Sequence, residues 1–498
     1  MRRTSVAMTA LNEEALIRRL VRNDGQEDIC VATYRPSTGR RRFSALIREV
    51  ISPNPGDRLV HGNATVTCDY IIRAAEKAQQ DNCGMVLLHS HPGAKHWQPL
   101  SEPDRDCEAS YANLVREVTG LPLVGMTLAT GDESWSARHW DTGVGRAVDC
   151  THSENVRVIG ERFAVSWNDA VQAPSQPTNS QSRTISAWGK KCQSDLSRLK
   201  VLVVGAGSVG LDVFVRLAAT GLCELTVMDF DVVEVHNLDR LIGAAGRDAY
   251  LRRSKVHVAR REASAAATAH KCNIRVSDRS ICEPDGLREA LDHDLIFSCV
   301  DRSWPRSALN SLAYSDLIPV IDGGIVIDAF DSGEMRSATW RSHIVRPGRP
   351  CMSCNGQLDL GTVALERQGL VDDPTYIQGA EDVSSPANSN VALLSVNVAA
   401  SMLAQFVSFI VAPAGFGDPG PMQYTFSTHS LDRLRVATNP HCAAETAECV
   451  GDYRSCLTGV HELAERQRQN SKMVGASIST LRRIDDFAHR VTSWLDRP

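Results

Sequence analysis

The sequence predicts an α/β protein of at least two domains, with an N-terminal α+β domain followed by a doubly wound one. The 498 residues are more than a single hydrophobic core usually organises. From residue 200 onward, apolar strands alternate with helices, a pattern typical of a largely parallel sheet. Between the two patterns, residues 170–186 are rich in Pro, Ser, Gln and Asn, a composition that predicts a linker.

Composition and charge narrow the function classes. Hydrophobic residues make up 43% and charged residues 23% of the chain, which excludes a disordered or fibrous protein. The formal net charge of −5 does not favour a nucleic-acid binder that neutralises phosphates. We interpret the basic run Arg40 to Arg42 as a solvated hairpin or strand edge. The 15 cysteines are scattered, which predicts reduced thiols and a cytoplasmic location.

Two apolar segments bear on targeting and membrane insertion. The N-terminal apolar stretch is interrupted at Glu13 and Glu14 and is not typical of a signal peptide. Residues 391–416 carry no charge but contain several polar residues, so we predict a helix buried between a sheet and another helix. We therefore expect neither a membrane partner nor a nucleic-acid partner.

Periodicity locates the main elements. In the N-terminal domain it predicts helices over 13–21 and 70–80, and strands over 29–34, 43–51, 84–91, 123–130 and 156–166. After the linker it predicts strands over 200–204, 224–229 and 294–300, a helix from the glycine turn through 222 and another over 253–268. A buried strand pair is predicted over 319–327. The tail, 457–498, is predicted to be helical and amphipathic.

A candidate metal site begins at the end of the strand over 84–91. His89 and His91 are two residues apart, so a strand places both imidazoles on one face, where they can ligate one ion. Asp104 can supply a third, oxygen ligand. Ser101, three residues before it, can donate a hydrogen bond to a developing oxyanion.

The pattern H-x-H-P followed by S-x-x-D resembles the JAB/JAMM (MPN-type) metalloproteases, which cleave isopeptide bonds or tails of ubiquitin-like proteins. The resemblance implies that His89, His91 and Asp104 hold a catalytic zinc ion and that Ser101 serves the oxyanion. The family's catalytic glutamate would fall on Glu27, at the head of the first strand. Glu49 and Asp28 remain alternatives for that role. The loop between His91 and Ser101 is longer than is usual in the family.

A second candidate site follows the strand over 200–204. Gly205, Gly207 and Gly210 form a G-x-G-x-x-G turn that opens a helix, and Asp229 ends the next strand. Glycines at these positions let the backbone approach phosphate at the helix N-terminus. Alone, this fingerprint would predict an NAD enzyme.

The residues after Asp229 instead favour nucleotidyl transfer. Asn237 and Arg240 lie three apart and can both reach phosphate oxygens, while Lys255 adds a cation at the start of a helix. Asp301 follows a strand on the edge where such sheets bind ligands. Cations on the phosphates, with an acid to hold Mg²⁺, are typical of transfer by positioning and electrostatic stabilisation.

The run D-x-D-x-V-E-x-x-N-L-x-R closely resembles the ThiF/MoeB family of ubiquitin-activating-type enzymes, over about residues 183–456. The resemblance implies a Rossmann-like fold in which ATP adenylates the C-terminal glycine of a ubiquitin-like or sulfur-carrier protein. By residue, it implies a phosphate loop at the three glycines, ribose binding at Asp229, triphosphate and Mg²⁺ contacts at the remaining positions, and an arginine that reaches a partner subunit's ATP. The triphosphate and Mg²⁺ contacts would be made by Asp231, Asn237, Arg240, Lys255 and Asp301. The arginine is Arg183, and its role in the family implies a homodimer.

The cysteines suggest a structural zinc site. Cys351 and Cys354 form a C-x-x-C pair, and the family's second pair is absent here, so Cys442 and Cys449 are the predicted substitutes. Cys456 and His441 remain alternatives. No cysteine lies between Cys354 and Cys442, which argues against a thioester step, and we expect Cys282 and Cys299 to pack in the core.

We therefore predict a JAB/JAMM domain at 1–168, a linker at 169–186, a ThiF-type adenylation domain at 187–456 and a helical extension at 457–498. Such a fusion resembles bacterial ubiquitin-like modification systems, some of which act in anti-phage defence. The predicted partner is a ubiquitin-like or sulfur-carrier protein, with a conjugating-enzyme-like protein as a further one. The alternatives are sulfur-carrier activation for thiocarboxylate synthesis and a scaffold without chemistry.

Overall fold

The structure, a computed structural model, describes residues 2–61, 63–142, 148–372, 391–472 and 476–495. Two large sheets carry helices on their faces, one sheet before residue 170 and one after it. The long apolar strands of both sheets form their inner layers, and helices cover them on either side.

The N-terminal sheet has nine strands in the order β11-β10-β1-β3-β2-β6-β7-β8-β9, and β4 pairs with β5 as a separate hairpin. The strands are β1 Arg3–Thr9, β2 Ile29–Thr38, β3 Arg42–Ile51, β4 Arg58–His61, β5 Asn63–Val66, β6 Gly84–His91, β7 Leu123–Ala129, β8 Ser134–Thr142, β9 Val148–His152, β10 Asn155–Ile159 and β11 Phe163–Trp167. The helices are α1 Ala10–Leu20, α2 Cys68–Gln80 and α3 Glu102–Thr119. Helix α1 packs on one face of the sheet, and α2 and α3 pack on the other.

The α+β prediction for this half is confirmed, with differences in detail. Residues 156–166 form not one strand but a hairpin, β10 and β11, that turns at Gly160. Strand β1, which pairs with both β10 and β3, was not predicted, and neither were β8, β9 and α3. These strands and α3 carry many polar residues, which obscures their periodicity.

The C-terminal sheet has eight strands in the order β14-β13-β12-β15-β16-β17-β18-β19. They are β12 Lys200–Val204, β13 Glu224–Met228, β14 Asn273–Ser277, β15 Leu295–Ser298, β16 Val320–Ala329, β17 Met335–Val345, β18 Met422–Thr425 and β19 Ser430–Arg433. The helices are α4 Ser182–Arg198, α5 Ser208–Thr220, α6 Gly246–Tyr250, α7 Lys255–Ala266, α8 Pro284–Ala290, α9 Ser303–Ser315, α10 Leu360–Arg367, α11 Ala392–Val411, α12 Ala443–Thr446, α13 Glu462–Lys472 and α14 Ala476–Leu495. Strands β12 to β16 are parallel, which confirms the doubly wound prediction, and β17 to β19 extend the sheet antiparallel.

Two predictions for this half are corrected. Residues 319–327 belong to one long strand, β16, because neither Gly323 nor Gly324 turns the chain. A Cβ atom on Gly323 would lie 2.3 Å from Met402 Sδ, and one on Gly324 would lie 2.4 Å from Arg306 Nη2, so these glycines admit neighbouring side chains. The predicted linker is also shorter, since α4 already includes residues 182–186.

Helix α11 accounts for the uncharged segment. It is the one helix among the described residues that is long and apolar enough to cross a membrane by length and composition. Val398, Met402 and Phe406 are buried, and the helix packs between α5 and strands β16 and β17. The prediction of a helix between a sheet and another helix is confirmed.

A buried ionic contact joins the two sheets. Arg42, at the start of β3, is 1% exposed and its guanidinium bonds to the Asp294 carboxylate and to the carbonyl oxygens of Leu291 and His293. Ser37 Oγ likewise donates to Asp316 Oδ1 across the junction, at 2.7 Å. The prediction that the whole basic run is solvated is therefore wrong for Arg42, although residues 40 and 41 are exposed.

Candidate functional site

The end of β6 and the start of α3 bring three metal-ligating side chains together. His89 Nε2 lies 3.2 Å from His91 Nε2, and Asp104 Oδ2 lies 3.6 Å and 3.8 Å from these two nitrogens. The extended strand presents both imidazoles on one face, and Ser101, as the N-cap of α3, starts the helix that carries Asp104.

The spacing and the donor set fit a zinc ion. Tetrahedral zinc with bonds of about 2.0–2.2 Å separates neighbouring ligand atoms by roughly 3.3–3.6 Å. The three distances scatter around that range, and the three side chains are only partly exposed, at 7%, 22% and 26%. Two imidazoles and one carboxylate leave a fourth position open, as catalytic zinc sites do.

Ser101 is tied to the same carboxylate. Its Oγ donates to Asp104 Oδ2 at 2.6 Å and accepts the Asp104 backbone N–H at 3.2 Å. Burial raises the pKa of Asp104, but its hydrogen bonds with His89 and His91 outweigh burial and hold that pKa well below its usual range. In this arrangement the Ser101 hydroxyl orients Asp104. To donate to an oxyanion, the hydroxyl must rotate away from the Asp104 carboxylate.

The structure distinguishes the three acids considered for the catalytic base. Glu27 precedes β2, and the Ser90 N–H donates to the Asp28 carbonyl, a register that sets Glu27 beside His91. The pKa of His91 is raised, first by its hydrogen bond to Asp104, and the Glu27 charge contributes. Asp28 is instead buried in an ion pair with Arg58.

Glu49, the remaining acid, acts on a residue of α2 and not on the histidines. Its charge helps to raise the pKa of Lys77, whose hydrogen bond with Asp81 is the main cause. Of the acids considered, Glu27 is therefore the one whose charge reaches the candidate metal site.

Two contacts of the histidines were not predicted. His91 Nδ1 lies 3.3 Å from Gln98 Oε1, and His89 Nε2 lies 3.4 Å from Thr127 Oγ1. A hydrogen bond such as that between His91 and Gln98 fixes the ring orientation of a metal-ligating histidine. Gln98 lies in a loop and Thr127 on the neighbouring strand β7, so no local motif in the sequence marks them.

The glycine turn lies where the strand order of the C-terminal sheet reverses. Gly205 follows β12 with φ +95°, and a Cβ atom there would lie 2.5 Å from the carbonyl oxygen of Cys299, just after β15. A Cβ atom on Gly210 would lie 1.9 Å from the Gly205 carbonyl oxygen. Gly207 is the N-cap of α5. Open sheets bind ligands at this reversal, and the free N–H groups of α5 point there.

Lys255 is surrounded by carboxylates beside this turn. Its Nζ donates to Asp231 Oδ2 at 2.8 Å. Burial alone would lower the pKa of the ammonium, but the charges of Asp229, Asp231 and Asp301 outweigh burial and raise it. Lys255 is therefore protonated at neutral pH, close to three acids and to the phosphate-binding turn.

Asp229 ties the turn to the next loop. Its Oδ2 accepts the Ala206 N–H at 2.7 Å, and its Oδ1 accepts the Asp231 N–H at 2.8 Å. Burial raises the pKa of Asp229, and Lys255 opposes that effect. Each carboxylate oxygen keeps a second lone pair for a ligand hydroxyl.

Three residues predicted for the nucleotide make no hydrogen bond or ion pair with this cluster within the described residues. The Asn237 amide accepts the Glu234 N–H at 3.0 Å, and Arg240 Nη1 donates to the His236 carbonyl at 2.7 Å, so both stabilise their own turn. Arg183 is exposed in the first turn of α4, and within the described part of the chain its guanidinium has no hydrogen bond or ion pair.

A second cluster of metal-ligating residues joins the C-x-x-C pair to the segment before α12. The sulfur atoms of Cys351, Cys354 and Cys442 lie within 4.8 Å of one another. The Asn439 N–H points at Cys354 Sγ at 3.3 Å. Burial raises the pKa of Cys354, but this hydrogen bond and those with the other two thiols outweigh burial and lower it, which favours a thiolate.

Cys449 does not join the three thiols, contrary to the prediction. It is 3% exposed and packs in a different apolar core, and burial raises the pKa of its thiol. Its backbone N–H is held by the Tyr314 carbonyl at 3.1 Å. Cys456 and His441 are exposed and lie outside the cluster as well, so within the described residues this cluster offers three candidate ligands.

The geometry agrees with the match to known proteins. The model of the ThiF family matches residues 179–445, more than half of the 498 residues. The chain belongs to the ThiF family. The matched range contains the glycine turn, Lys255, Asp301 and the cysteine pair.

Two named relatives illustrate the ThiF match. The chain is 27% identical over 255 residues to the molybdopterin-synthase adenylyltransferase of Escherichia coli (strain K12), covering 50% of this chain and 88% of the relative. It is 24% identical over 360 residues to ubiquitin-like modifier-activating enzyme 5 of Drosophila grimshawi, covering 69% and 78%. A crystal structure of E. coli MccB with ATP aligns at 19% identity with a TM-score of 0.41, over 54% of this chain and 74% of that one.

Proposed function

We propose that this chain uses ATP to adenylate the C-terminal glycine of a ubiquitin-like or sulfur-carrier protein. The observation that carries the proposal is the Lys255 ammonium held by carboxylates beside the glycine turn. Membership of the ThiF family and the names of the relatives, which are adenylyltransferases and modifier-activating enzymes, support it.

Each of the residues near the glycine turn would have its own role in the transfer. The glycine turn and the N-terminus of α5 would hold the phosphates, Asp229 the ribose, and Lys255 the developing charge. A carboxylate oxygen of the carrier's glycine attacks the α-phosphorus, the bond to the β-bridging oxygen breaks, and pyrophosphate leaves. Asp301 would hold Mg²⁺, which neutralises phosphate charge when bound. Asn237 and Arg240 would turn towards the phosphates, and Arg183 would reach the ATP of a second copy.

Adenylation is tested by ATP–pyrophosphate exchange with ubiquitin-like proteins encoded by neighbouring genes. We expect exchange with a carrier that ends in a free glycine and none with the same carrier lacking that glycine. Equal exchange with both would show that the glycine is not the acceptor and would contradict the proposal.

We further propose that the N-terminal domain is a zinc-dependent peptidase of JAB/JAMM type that processes or removes the same carrier. The three ligand atoms at tetrahedral spacing and the nearby Glu27 support this. A zinc ion bound there would supply Lewis acidity and lower the pKa of a water molecule. Glu27 would take the proton from the attacking water and pass it to the leaving amine, and Ser101 would donate to the oxyanion.

Peptidase activity is tested with the carrier extended by a short C-terminal tail. We expect release of the tail by the wild-type protein and a loss of about 10²-fold or more in the Glu27→Gln variant, because the base is removed while the fold is kept. Glu49→Gln is the matched control and should cleave normally. Equal cleavage by Glu27→Gln and the wild type would remove Glu27 from the reaction.

Zinc content gives a separate prediction. We expect about two zinc ions per chain, one at each cluster, measured by plasma mass spectrometry. His89→Ala/Asp104→Ala should remove one, and Cys351→Ser/Cys354→Ser the other. A chain that keeps both ions in the first variant would contradict the proposed catalytic site, whatever the fate of the second.

The alternative is a sulfur-carrier pathway that stops at the adenylate or proceeds to a thiocarboxylate. The absence of cysteine between Cys354 and Cys442 favours it, since that stretch offers no acceptor thiol. All 15 cysteines are described, and only Cys68 and Cys456 are exposed. A carrier–enzyme thioester that is lost in Cys456→Ser would favour conjugation, and a thiocarboxylate product would favour the sulfur pathway.

A further inference from the structure

An arginine-rich cavity lies where the two sheets meet. Its volume is about 590 Å³, and we call it the arginine cavity. Five arginines line it together with Glu224 and Asn273; the five are Arg2, Arg3, Arg40, Arg41 and Arg275. The first four come from β1 and the β2–β3 hairpin, and Arg275 comes from the edge strand β14, so both halves of the chain form its wall.

The carboxylates nearby do not balance these cations. Glu224 is engaged by Arg275 Nη2 at 2.9 Å and by Asn273 Nδ2 at 3.0 Å. Within the described residues, the guanidinium groups of Arg2 and Arg41 have no carboxylate partner, and Arg2 donates only to the Gly39 carbonyl. The cavity is thus an isolated positive site on a chain whose net charge is −5.

Internal hydrogen bonding is incomplete as well. Arg3 Nη2 and Arg275 Nε are buried and have no hydrogen-bond partner within the described structure. Arg3 and Arg40 approach carboxylates only at 3.8 Å and 3.5 Å. The two buried atoms are closed to solvent, so an anion would be taken up by the exposed guanidinium groups of Arg2 and Arg41.

The arginine cavity is remote from both candidate catalytic sites. Glu224 and Asn273 begin β13 and β14, whereas the glycine turn lies at the other end of the sheet, roughly 15 Å away at about 3.3 Å per residue. The β2–β3 hairpin likewise lies at the far end of β2 from Ile29, which pairs with His89. A ligand here would be separate from ATP and from the peptidase substrate.

We propose that the arginine cavity binds a small, multiply charged phosphate ligand of the polyphosphate or nucleotide-polyphosphate class. Guanidinium groups match phosphate oxygens in paired, charge-assisted hydrogen bonds. The volume is typical of small-molecule sites, and the net charge of −5 on the whole chain disfavours a long polyanion. Because both halves of the chain contribute, the ligand would stabilise their junction by mass action.

The test uses inorganic tripolyphosphate and calorimetry on the full-length chain. Lys255→Ala serves as the background, so that the phosphate turn of the adenylation site contributes little. We expect one bound tripolyphosphate in this background, and binding weakened on the order of tenfold or more when Arg2→Ala/Arg41→Ala is added. Arg18→Ala/Arg466→Ala, an equal charge change at exposed sites, should leave binding unchanged.

Thermal unfolding supplies a second readout. Tripolyphosphate should raise the Tm of the Lys255→Ala chain. It should not raise the Tm of the chain in which Arg2 and Arg41 are also replaced. Equal binding with and without these two arginines would overturn the proposal. Tighter binding of a single-stranded oligonucleotide or a poly-glutamate peptide than of tripolyphosphate would also overturn it, in favour of a macromolecular partner. Repeating the titration with ATP in place of tripolyphosphate distinguishes a nucleotide-polyphosphate ligand from an inorganic polyphosphate ligand.

Discussion

Replacing Lys255 with alanine should reduce ATP–pyrophosphate exchange on the order of 10²-fold or more, the usual effect of removing one preorganised donor from developing negative charge. The ammonium is bonded to Asp231 at 2.8 Å and interacts with Asp229, which binds the phosphate turn through the Ala206 N–H. Without it, Asp229, Asp231 and Asp301 would face the triphosphate uncompensated. The repulsion would act on phosphate binding as well as on the transfer.

The control for this variant is Lys190→Ala, which removes an exposed lysine from α4 and should exchange at the wild-type rate. Lys255→Arg keeps the charge and should recover part of the activity. Circular dichroism melting shows whether the variants are folded. Exchange by a folded Lys255→Ala protein at the wild-type rate would show that the phosphates bind elsewhere.

Replacing Arg42 with alanine should lower the free energy of unfolding by about 3 kcal/mol, because the buried Asp294 carboxylate loses its hydrogen-bonded cation and keeps only the charges of Arg157, 3.8 Å away, and Lys200. Asp294 is 0% exposed, and Arg42 is its hydrogen-bonding cation across the junction between the sheets. The two carbonyl groups that Arg42 also satisfies would lose their donor. Urea unfolding followed by tryptophan fluorescence measures the change.

The adjacent Arg41 provides the matched control, since it is exposed and its loss should change stability by less than about 0.5 kcal/mol. Burial raises the pKa of Asp294, but Arg42, Arg157 and Lys200 outweigh it and hold that pKa to about 2. A depressed pKa stabilises the fold above the usual value near 4, and this contribution is lost as the pH falls towards 2. The difference between the wild type and Arg42→Ala should therefore shrink in acid, and equal stabilities at pH 7 would contradict the role of the pair.

Local motifs were predictable because their residues are neighbours along the chain. The H-x-H pair lies on one strand, and the glycine turn lies between a strand and the helix it opens, so periodicity and spacing alone predict their arrangement. The parallel order of β12 to β16 follows from alternating strands and helices, and it is observed. The family match over 179–445 agrees with the motif after Asp229.

Long-range packing was not predictable in the same way. Cys442 and Cys449 are the predicted substitutes for the family's missing second C-x-x-C pair, yet the fold buries their thiols in different cores. Arg42 resembles its exposed neighbours in sequence, but of the three arginines it is the one whose side chain is buried at the junction with the second sheet. Gln98 and Thr127 reach the histidines from elements that carry no motif, so only the fold reveals them.

The buried contact between Arg42 and Asp294 also bears on how freely the two halves can be inherited apart. A gene split in the stretch that encodes residues 169–178 would interrupt no strand or helix and would look harmless in an alignment. Each product, however, would carry a charged side chain, Arg42 or Asp294, that is buried against the other half in the intact chain. Fission would therefore need compensating substitutions on both sides before either half was stable, which favours inheritance of the two halves as one polypeptide.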